Sequence, residues 1–520
     1  MKALLSRKVY PPAPNPKNDQ RIHRAYKPTL YDFRLFPSCL TNLALLLVFF
    51  TFGLQGLYFL IPIMMCVTAC FFVIQRKTQS PSTVVLSSQA VLCLIFVFLQ
   101  IIALFATGSI RDEKTLASCQ GISTTFEGTI ISAKPLATGI TMAEIQPRTI
   151  QCKGSLKPLS RTITAFLPEP LPRSTQVTIR GKLVRDKGRL ILKSFTLKNI
   201  EVTPISWTEK LKNRVRQTSQ RQLTFDQTSL LLGLSYGDDS AMQPSVKEEF
   251  KTAGLTHLTA VSGANISIIF LIAYRIGQFV RLHRKLLIML AFIATLCYSQ
   301  FVGWEGSVTR AWCMGLVGAF ALILGSGKST LPLFSTVIIG LLLFDPELSV
   351  NFGFLLSLVA TASLILLAPP LSRIIGSIAP QIIADAFSIP IAATLWTTPV
   401  LLLLSGKIST FTVIANVLAA PFVAPITVLG LLVFLSSSVP FLEPAHHILL
   451  PLARCLTQPL LDIASWIASL PHSSFDVPAT VLTFSITCVS ALAFTTVLLV
   501  IDRSMTRYLI GMPMDGMVRS

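Results

Sequence analysis

The sequence predicts a polytopic α-helical membrane protein with a small extracytoplasmic β-barrel inserted after three N-terminal spans. Its 520 residues are 52% hydrophobic and only 13% charged, with a mean hydropathy of +0.65, a balance typical of chains that cross a membrane several times. The apolar runs lie on both sides of one long polar insert. The net charge of +20 is segregated, with basic regions in the N-terminal tail and in that insert.

Residues 1–36 predict a basic cytosolic tail, because they carry eight Lys or Arg against two Asp and are too long and polar for a cleaved signal peptide. Residues 37–107 predict a transmembrane group of three spans. The apolar run 40–74 is interrupted at Gly53-Leu-Gln-Gly56 and fits two short helices, since one helix needs ~20 residues to cross lipid. Positive residues before the first span and after the second place both ends inside, so the third span, 84–107, leads outward.

The insert 108–205 predicts an extracytoplasmic domain of short strands. Alternating or β-branched runs cover 124–132, 161–167, 176–184 and 189–202, with Pro and Gly punctuation between them. About ninety residues of short strands indicate a small barrel of the OB type. Cys119 and Cys152 are the two cysteines of the insert, and an oxidising compartment predicts a disulfide between them.

Residues 206–250 predict amphipathic linker helices. Trp207, Leu211 and Val215 share one helical face, which indicates a helix resting on the outer leaflet or, alternatively, a linker helix packed on the barrel. Residues 251–503 predict the main membrane domain, and 504–520 a tail. The expected spans are 255–274, 285–302, 308–325, 330–344, 352–368, 382–404, 409–436, with Pro421 and Pro425 allowing a break, and 477–501; residues 449–470 fit a span or an interfacial helix.

Polar residues inside the apolar domain mark the candidate site. Such side chains are unfavourable against lipid, which offers no hydrogen-bond partners, so they are expected to face a protein interior or a wet cavity. The alternative is that each one simply bonds a neighbouring helix. The predicted channel-lining residues are His257, Ser262, Gly263, Asn265, Arg310, Ser357 and Asn416.

Catalysis, metal binding and nucleotide binding have weak support. The run Gly325-Ser-Gly-Lys-Ser-Thr330 resembles a phosphate-binding loop, but Leu322 stands at its first glycine position and an apolar helix precedes it, so a cytosolic turn is expected. No Cys-x-x-Cys set occurs outside the apolar runs, so neither a metal nor a cofactor is predicted. His257 and Ser262 lie about 140° apart on a regular helix, and Asp238 or Asp239 are the nearest candidate acids for a hydrolase.

Several motifs together resemble one family. They are Leu230-Leu-Leu-Gly-Leu234 with Gly237-Asp238, Ala253-Gly-Leu-Thr-His257 leading into Val261-Ser-Gly263, Thr309-Arg-Ala311, Asp345-Pro346, Phe352-Gly-Phe-Leu-Leu-Ser357, Thr398-Pro399 and Ala415-Asn-Val-Leu-Ala-Ala-Pro421. The chain resembles the ComEC family of competence channels over most of residues 40–500. The order of an N-terminal span group, an external OB-like domain and a competence membrane domain is also similar.

The resemblance implies a multi-pass channel of the bacterial cytoplasmic membrane that carries single-stranded DNA during natural transformation, rather than an enzyme. The implied partners are single-stranded DNA, membrane lipid, a membrane DNA receptor and a cytosolic helicase; a homo-oligomer is also compatible. The family usually reads Ser-Gly-Leu-His where this chain has Ser262-Gly-Ala-Asn265, so a histidine role does not transfer. No His-x-His-x-Asp-His occurs, so any nuclease activity is expected from another protein. The alternatives are a small-molecule secondary transporter or an intramembrane hydrolase.

Overall fold

The computed structural model describes residues 35–52, 81–107, 109–119, 122–135, 141–152, 155–159, 161–167, 175–186, 189–201, 207–238, 242–259, 263–303, 306–323, 330–478 and 480–511. Most of the basic tail, the predicted second span, Ser262 and the loop 324–329 lie outside the described residues.

The described helices alternate with short connections on both sides of the barrel. In chain order they are α1 Phe36–Phe52, α2 Pro81–Ala106, α3 Ser109–Cys119, α4 Trp207–Ser219, α5 Phe225–Tyr236, α6 Pro244–Thr252, α7 Gly263–Phe279, α8 Arg284–Val302, α9 Gly306–Ile323, α10 Thr330–Phe344, α11 Phe352–Leu366, α12 Ala368–Gly376, α13 Gln381–Ser405, α14 Thr412–Ser438, α15 His446–Ser469 and α16 Val481–Gly511. Short 3-10 helices cover Thr256–Thr259, Pro346–Val350 and Pro440–Ala445.

Five strands of the insert close into a barrel. The described part of the insert has six strands: β1 Ser123–Pro135, β2 Thr141–Cys152, β3 Ser155–Pro158, β4 Ile163–Leu167, β5 Gln176–Asp186 and β6 Arg189–Glu201. The closed order is β1-β2-β4-β6-β5-β1, in which β4 and β6 run parallel and the other pairs are antiparallel, while β3 extends β2 at the edge. The predicted OB-like barrel is therefore confirmed.

Strand β2 is absent from the sequence prediction because Pro147 interrupts its alternating pattern. The register between β1 and β2 shifts next to Gly128, which pairs with Pro147. A Cβ on Gly128 would lie 2.9 Å from the Pro147 Cα, so glycine permits this close approach. A proline is tolerated in a strand at such an irregularity, where a ladder hydrogen bond is already lost.

The structure pairs Cys119 with Cys152. Their Cα atoms lie 5.8 Å apart, and both side chains are buried in the barrel core. Cys119 ends α3 and Cys152 ends β2, so the bridge ties the helix that follows the N-terminal spans to the barrel wall.

The helices after the barrel agree closely with the predicted spans. By length and composition, four described helices suit a membrane crossing: Gln381–Ser405, Thr412–Ser438, Phe441–Ser469 and Leu482–Asp502. A bent pair, Phe352–Leu366 with Ala368–Gly376, meets the same test as one unit and turns by 43°. Shorter apolar helices include Asn265–Phe279, Leu286–Val302 and Thr330–Phe344. The chain is a membrane protein.

The start of one predicted span is wrong. The span predicted at 255–274 starts too early, because a 3-10 helix covers Thr256–Thr259 and α7 begins at Gly263. The break that Pro421 and Pro425 would allow is not made, since α14 runs through both prolines as one helix. The ambiguous segment 449–470 belongs to the long helix α15.

Part of the segment 206–250, predicted as a linker, is buried in the core of the helical domain. Every side chain from Gln227 to Tyr236 is buried, and α5 packs against α14 and α15. The Thr224 hydroxyl caps α5 in a capping box with Gln227, and the Gln227 amide donates to Gln458 Oε1 at 2.7 Å. Helix α4 packs on the same core through the buried Val215. Segments 207–236 thus belong to the membrane domain.

Candidate functional site

The first polar cluster of the membrane domain surrounds Arg310, in the second turn of α9. Arg310 as a whole is only 6% exposed. Nε and Nη2 donate to Ser357 Oγ of α11 at 3.0 and 2.6 Å, and Nη1 lies 3.2 Å from Met314 Sδ. Helices α9 and α11 thus meet at one cation, and two of the predicted lining residues, Arg310 and Ser357, are in direct contact.

Gly263 completes what we call the Arg310 cluster: Arg310, Ser357, Met314 and Gly263. A Cβ on Gly263 would lie 3.0 Å from Ala311 Cβ and 3.6 Å from Arg310 Nη2. The missing side chain therefore lets the start of α7 approach α9 at the guanidinium. Ser262, the preceding residue, lies outside the described residues.

The charge of this cluster is unbalanced within the described part of the chain. Ser357 and Met314 are neutral, and no described carboxylate forms an ion pair with Arg310. A buried cation is normally paired, because burial removes the hydration that stabilises the charge. In a membrane domain such a residue usually lies on an ion or substrate path. A guanidinium has five N–H donors, and the contacts with Ser357 and Met314 use three of them.

The second cluster closes on the end of α5, and we call it the α5 clamp. The Asn265 amide donates to the Leu234 carbonyl at 2.7 Å, and the Tyr298 hydroxyl donates to the Ser235 carbonyl at 2.6 Å. Thr427 of α14 lies 3.5 Å from the same Leu234 carbonyl. Asn265 is only 2% exposed. It therefore holds α5 in this conformation, and the structure does not place it with Arg310.

Comparison with known proteins assigns the domain that holds both clusters. The competence protein family matches residues 234–501, which is more than half of the chain. The chain belongs to the competence protein family. Within its competence domain lie all the residues of the Arg310 cluster and of the α5 clamp.

One curated relative of the competence protein is ComE operon protein 3 of Bacillus subtilis (strain 168). It is 26% identical over 279 residues, which cover 51% of this chain and 34% of the relative. The match therefore spans about a third of that relative's length. No solved structure matches the chain.

Two further predicted residues of the competence domain meet elsewhere. The His257 side chain lies close to the Asn416 side chain. The Asn416 amide itself donates to the Thr412 carbonyl at 2.8 Å. His257 belongs to the 3-10 helix before α7, and Asn416 belongs to α14. Asp238, a candidate acid for a hydrolase, forms an ion pair with Arg216, and Asp239 lies outside the described residues.

Sequence reasoning missed the elements that hold these residues in place. Tyr298 and Thr427 look like ordinary polar residues of apolar helices, and only the fold brings them to α5. Gln227 and Gln458 are 231 residues apart along the chain. A local signal for α5 did exist, since Thr224 and Gln227 have the spacing of a capping box and Gly237 ends the helix with a φ of 76°.

Proposed function

We propose that this competence protein conducts single-stranded DNA across the bacterial cytoplasmic membrane, and that the Arg310 cluster contacts the phosphates of the strand in transit. The observation that supports this most is the buried guanidinium with neutral partners. One isolated cation attracts each passing phosphate but holds it less firmly than a basic wall would. Conduction needs this balance, because a site that binds too tightly does not release.

The position of the cluster relative to the barrel supports the same route. Asn351 lines the contact between the barrel and the membrane domain, and its side chain caps α11 by accepting from the Phe354 N–H at 3.1 Å. Ser357 follows six residues later on α11, which corresponds to about 9 Å along the helix axis. A strand delivered at the barrel would thus need to move only a short way to reach Arg310.

The barrel surface offers the electrostatic contacts that a strand needs before entry. Arg180 and Lys182 are exposed on one face of β5, and Thr196 is exposed on the neighbouring β6, opposite Arg180. Phe166 is 40% exposed on β4 and can stack a base. Backbone binding of this kind releases counterions and weakens with salt, by roughly 0.7 in the log–log slope per phosphate contact for single strands.

We also propose that the chain acts with a membrane DNA receptor and a cytosolic helicase. The family resemblance points to transport, and the run that resembles a phosphate-binding loop has Leu322 at its first glycine position. The energy for import would then come from a partner protein.

The test replaces Arg310 with leucine in competent cells supplied with labelled DNA. We expect import to fall at least about tenfold, which corresponds to ~1.4 kcal/mol, while DNA bound at the cell surface stays unchanged. Arg454→Leu is the matched control, because Arg454 is an exposed arginine of α15 in the same domain. Normal import in the Arg310→Leu cells would contradict the proposed route.

A second arm measures single-strand binding by the full chain in lipid nanodiscs at increasing salt. Changing Arg180 and Lys182 to Gln together should reduce the salt slope by about 1.4, because two phosphate contacts are lost. An unchanged slope would exclude this face of the barrel as the binding surface.

A further inference from the structure

The barrel and the membrane domain meet at a small polar joint. A cavity of about 130 Å³ lies between them, and its polar lining comes from the barrel and from the turn between α10 and α11. The residues that matter are Glu144, Arg161, Thr162, Thr164, Asp345 and Glu347. On the barrel side, Arg161 is buried and its guanidinium stacks on the Phe50 ring of α1 at 4.5 Å.

Glu347 is the group that crosses the joint. Its Oε2 accepts from the Thr162 backbone N–H at 3.3 Å, which links the turn before α11 to the segment that leads into β4. Asp345, on the same turn, accepts from the Glu347 N–H at 3.1 Å and caps the short 3-10 helix. The turn lies between two apolar helices, outside the membrane-spanning segments.

Charged groups face Glu347 from several elements. Arg161 is the positive one, and its backbone N–H donates to Asp112 of α3 at 3.1 Å. Glu144 of β2 and Asp345 of the turn are negative and line the same cavity. Carboxylates thus outnumber cations around the cavity.

The titration of Glu347 follows from this setting. Burial raises the pKa of Glu347 from an ordinary 4.5 to about 7, and the charge of Asp345 adds to the rise, while Arg161 and the Thr162 hydrogen bonds oppose it. A barrel that has moved away exposes Glu347 to water and returns its pKa towards the ordinary value. The docked state therefore holds an extra proton between about pH 4.5 and pH 7. The proton on Glu347 therefore stabilises the docked state fully below pH 4.5, and this stabilisation is lost as pH rises through 7.

We propose that the barrel docks on the membrane domain with uptake of a proton by Glu347, so that acidification tightens the joint and alkaline pH loosens it. The claim concerns the joint itself and does not depend on passage of DNA. Its functional consequence is that pH sets how firmly the barrel sits above the Asn351 end of α11.

The size of the effect follows from the two pKa values. Glu347 has a pKa of about 7 when the barrel is docked and approaches the ordinary 4.5 when the barrel has moved away. Linkage of this one proton makes docking about tenfold weaker at pH 8 than at pH 6. The Thr162 amide is the natural probe, because its hydrogen becomes free to exchange when the joint opens.

The experiment is hydrogen–deuterium exchange of the full chain in lipid nanodiscs, with rates corrected for the intrinsic pH dependence of amide exchange. In the wild type, the corrected exchange of the peptide around Thr162 should rise about tenfold between pH 6 and pH 8. Glu347→Gln mimics the protonated acid, so its exchange should be about thirtyfold slower than that of the wild type at pH 6 and should not change with pH. Glu127→Gln, at an exposed glutamate on β1, should behave like the wild type.

A second variant keeps the test decisive if Glu347→Gln does not fold. Asp345→Asn can still cap the 3-10 helix but removes the neighbouring negative charge, so the midpoint of the pH dependence should move to lower pH. Two results would overturn the proposal: corrected wild-type exchange that is flat from pH 6 to pH 8, or a midpoint that Asp345→Asn leaves in place.

Discussion

The two polar clusters of the membrane domain each centre on a buried side chain, Asn265 or Arg310, yet they satisfy their polar groups in opposite ways. In the α5 clamp, Asn265 and Tyr298 are neutral donors that meet backbone carbonyls at 2.7 and 2.6 Å. In the Arg310 cluster a full positive charge meets one hydroxyl and one thioether.

This difference shows that burial of a polar side chain does not by itself mark a site. A neutral donor matched to a carbonyl is complete and needs no ligand. A guanidinium among neutral groups still attracts an anion, since its charge is not compensated. The clamp should therefore respond to mutation through stability, and the Arg310 cluster through transport.

The largest expected effect on stability comes from the contact between α5 and α14. A Cβ on Gly430 would lie 2.8 Å from Ser235 Cβ and 3.0 Å from the Leu231 carbonyl, so Gly430→Ala forces the helices apart. We expect a loss of about 1–3 kcal/mol or more, measured as thermal unfolding in detergent. Gly340→Ala in α10 is the control, because a Cβ there meets nothing within 4 Å. Equal stability of the two variants would show that α5 is not held tightly.

Asn265→Leu should have the next largest effect on stability. It leaves the buried Leu234 carbonyl without its amide donor, which costs roughly 1–3 kcal/mol. The yield of folded protein and DNA import should fall in proportion to one another. A variant that folds normally but imports no DNA would move Asn265 from the clamp to the conduit.

Tyr298→Phe should have a smaller effect of the same kind. It removes one hydroxyl that donates to the Ser235 carbonyl, and interhelical hydrogen bonds in membrane proteins average about 0.6 kcal/mol. A double-mutant cycle with Asn265→Leu measures whether the two donors act together. Strict additivity would mean that the clamp is two independent bonds.

Ser357→Ala should change stability least. It removes the acceptor of two Arg310 hydrogen bonds but leaves the charge in place, so import should fall by less than about tenfold. Thermal unfolding should match the wild type within about 0.5 kcal/mol. A marked loss of stability would indicate that Ser357 and Arg310 form a structural pair like the clamp.

The sequence alone predicted the barrel and most helices, because both follow from local periodicity. Strand β2 could not be predicted, because Pro147 breaks the alternating pattern. The bulge at Gly128 that accommodates this proline depends on pairing between β1 and β2. The buried position of α5 also could not be predicted. A 12-residue helix with a polar start looks like a surface element until α14 and α15 pack around it.

For the candidate site, too, the residue types could be predicted from the sequence but their contacts could not. Residue type identified Arg310 and Ser357, but their contact joins positions 47 residues apart. The same reasoning grouped Asn265 with them, although its carbonyl partner on α5 makes it part of the clamp. The role of Glu347 could not be predicted from the sequence, because its burial and its hydrogen bond depend on how the barrel docks.

The most direct test of the Arg310 conduit is chemical trapping of DNA in transit. The chain would carry a single reporter cysteine, Ser357→Cys or Thr427→Cys, with the other free cysteines replaced by alanine, and the DNA would carry thiol-reactive phosphate groups. Both positions lie in the competence domain, but Thr427 is fully buried in the α5 clamp. We expect the imported strand to couple to Ser357→Cys and not to Thr427→Cys. Coupling at Thr427→Cys alone, or no coupling at Ser357→Cys during active import, would contradict passage of the strand at Arg310.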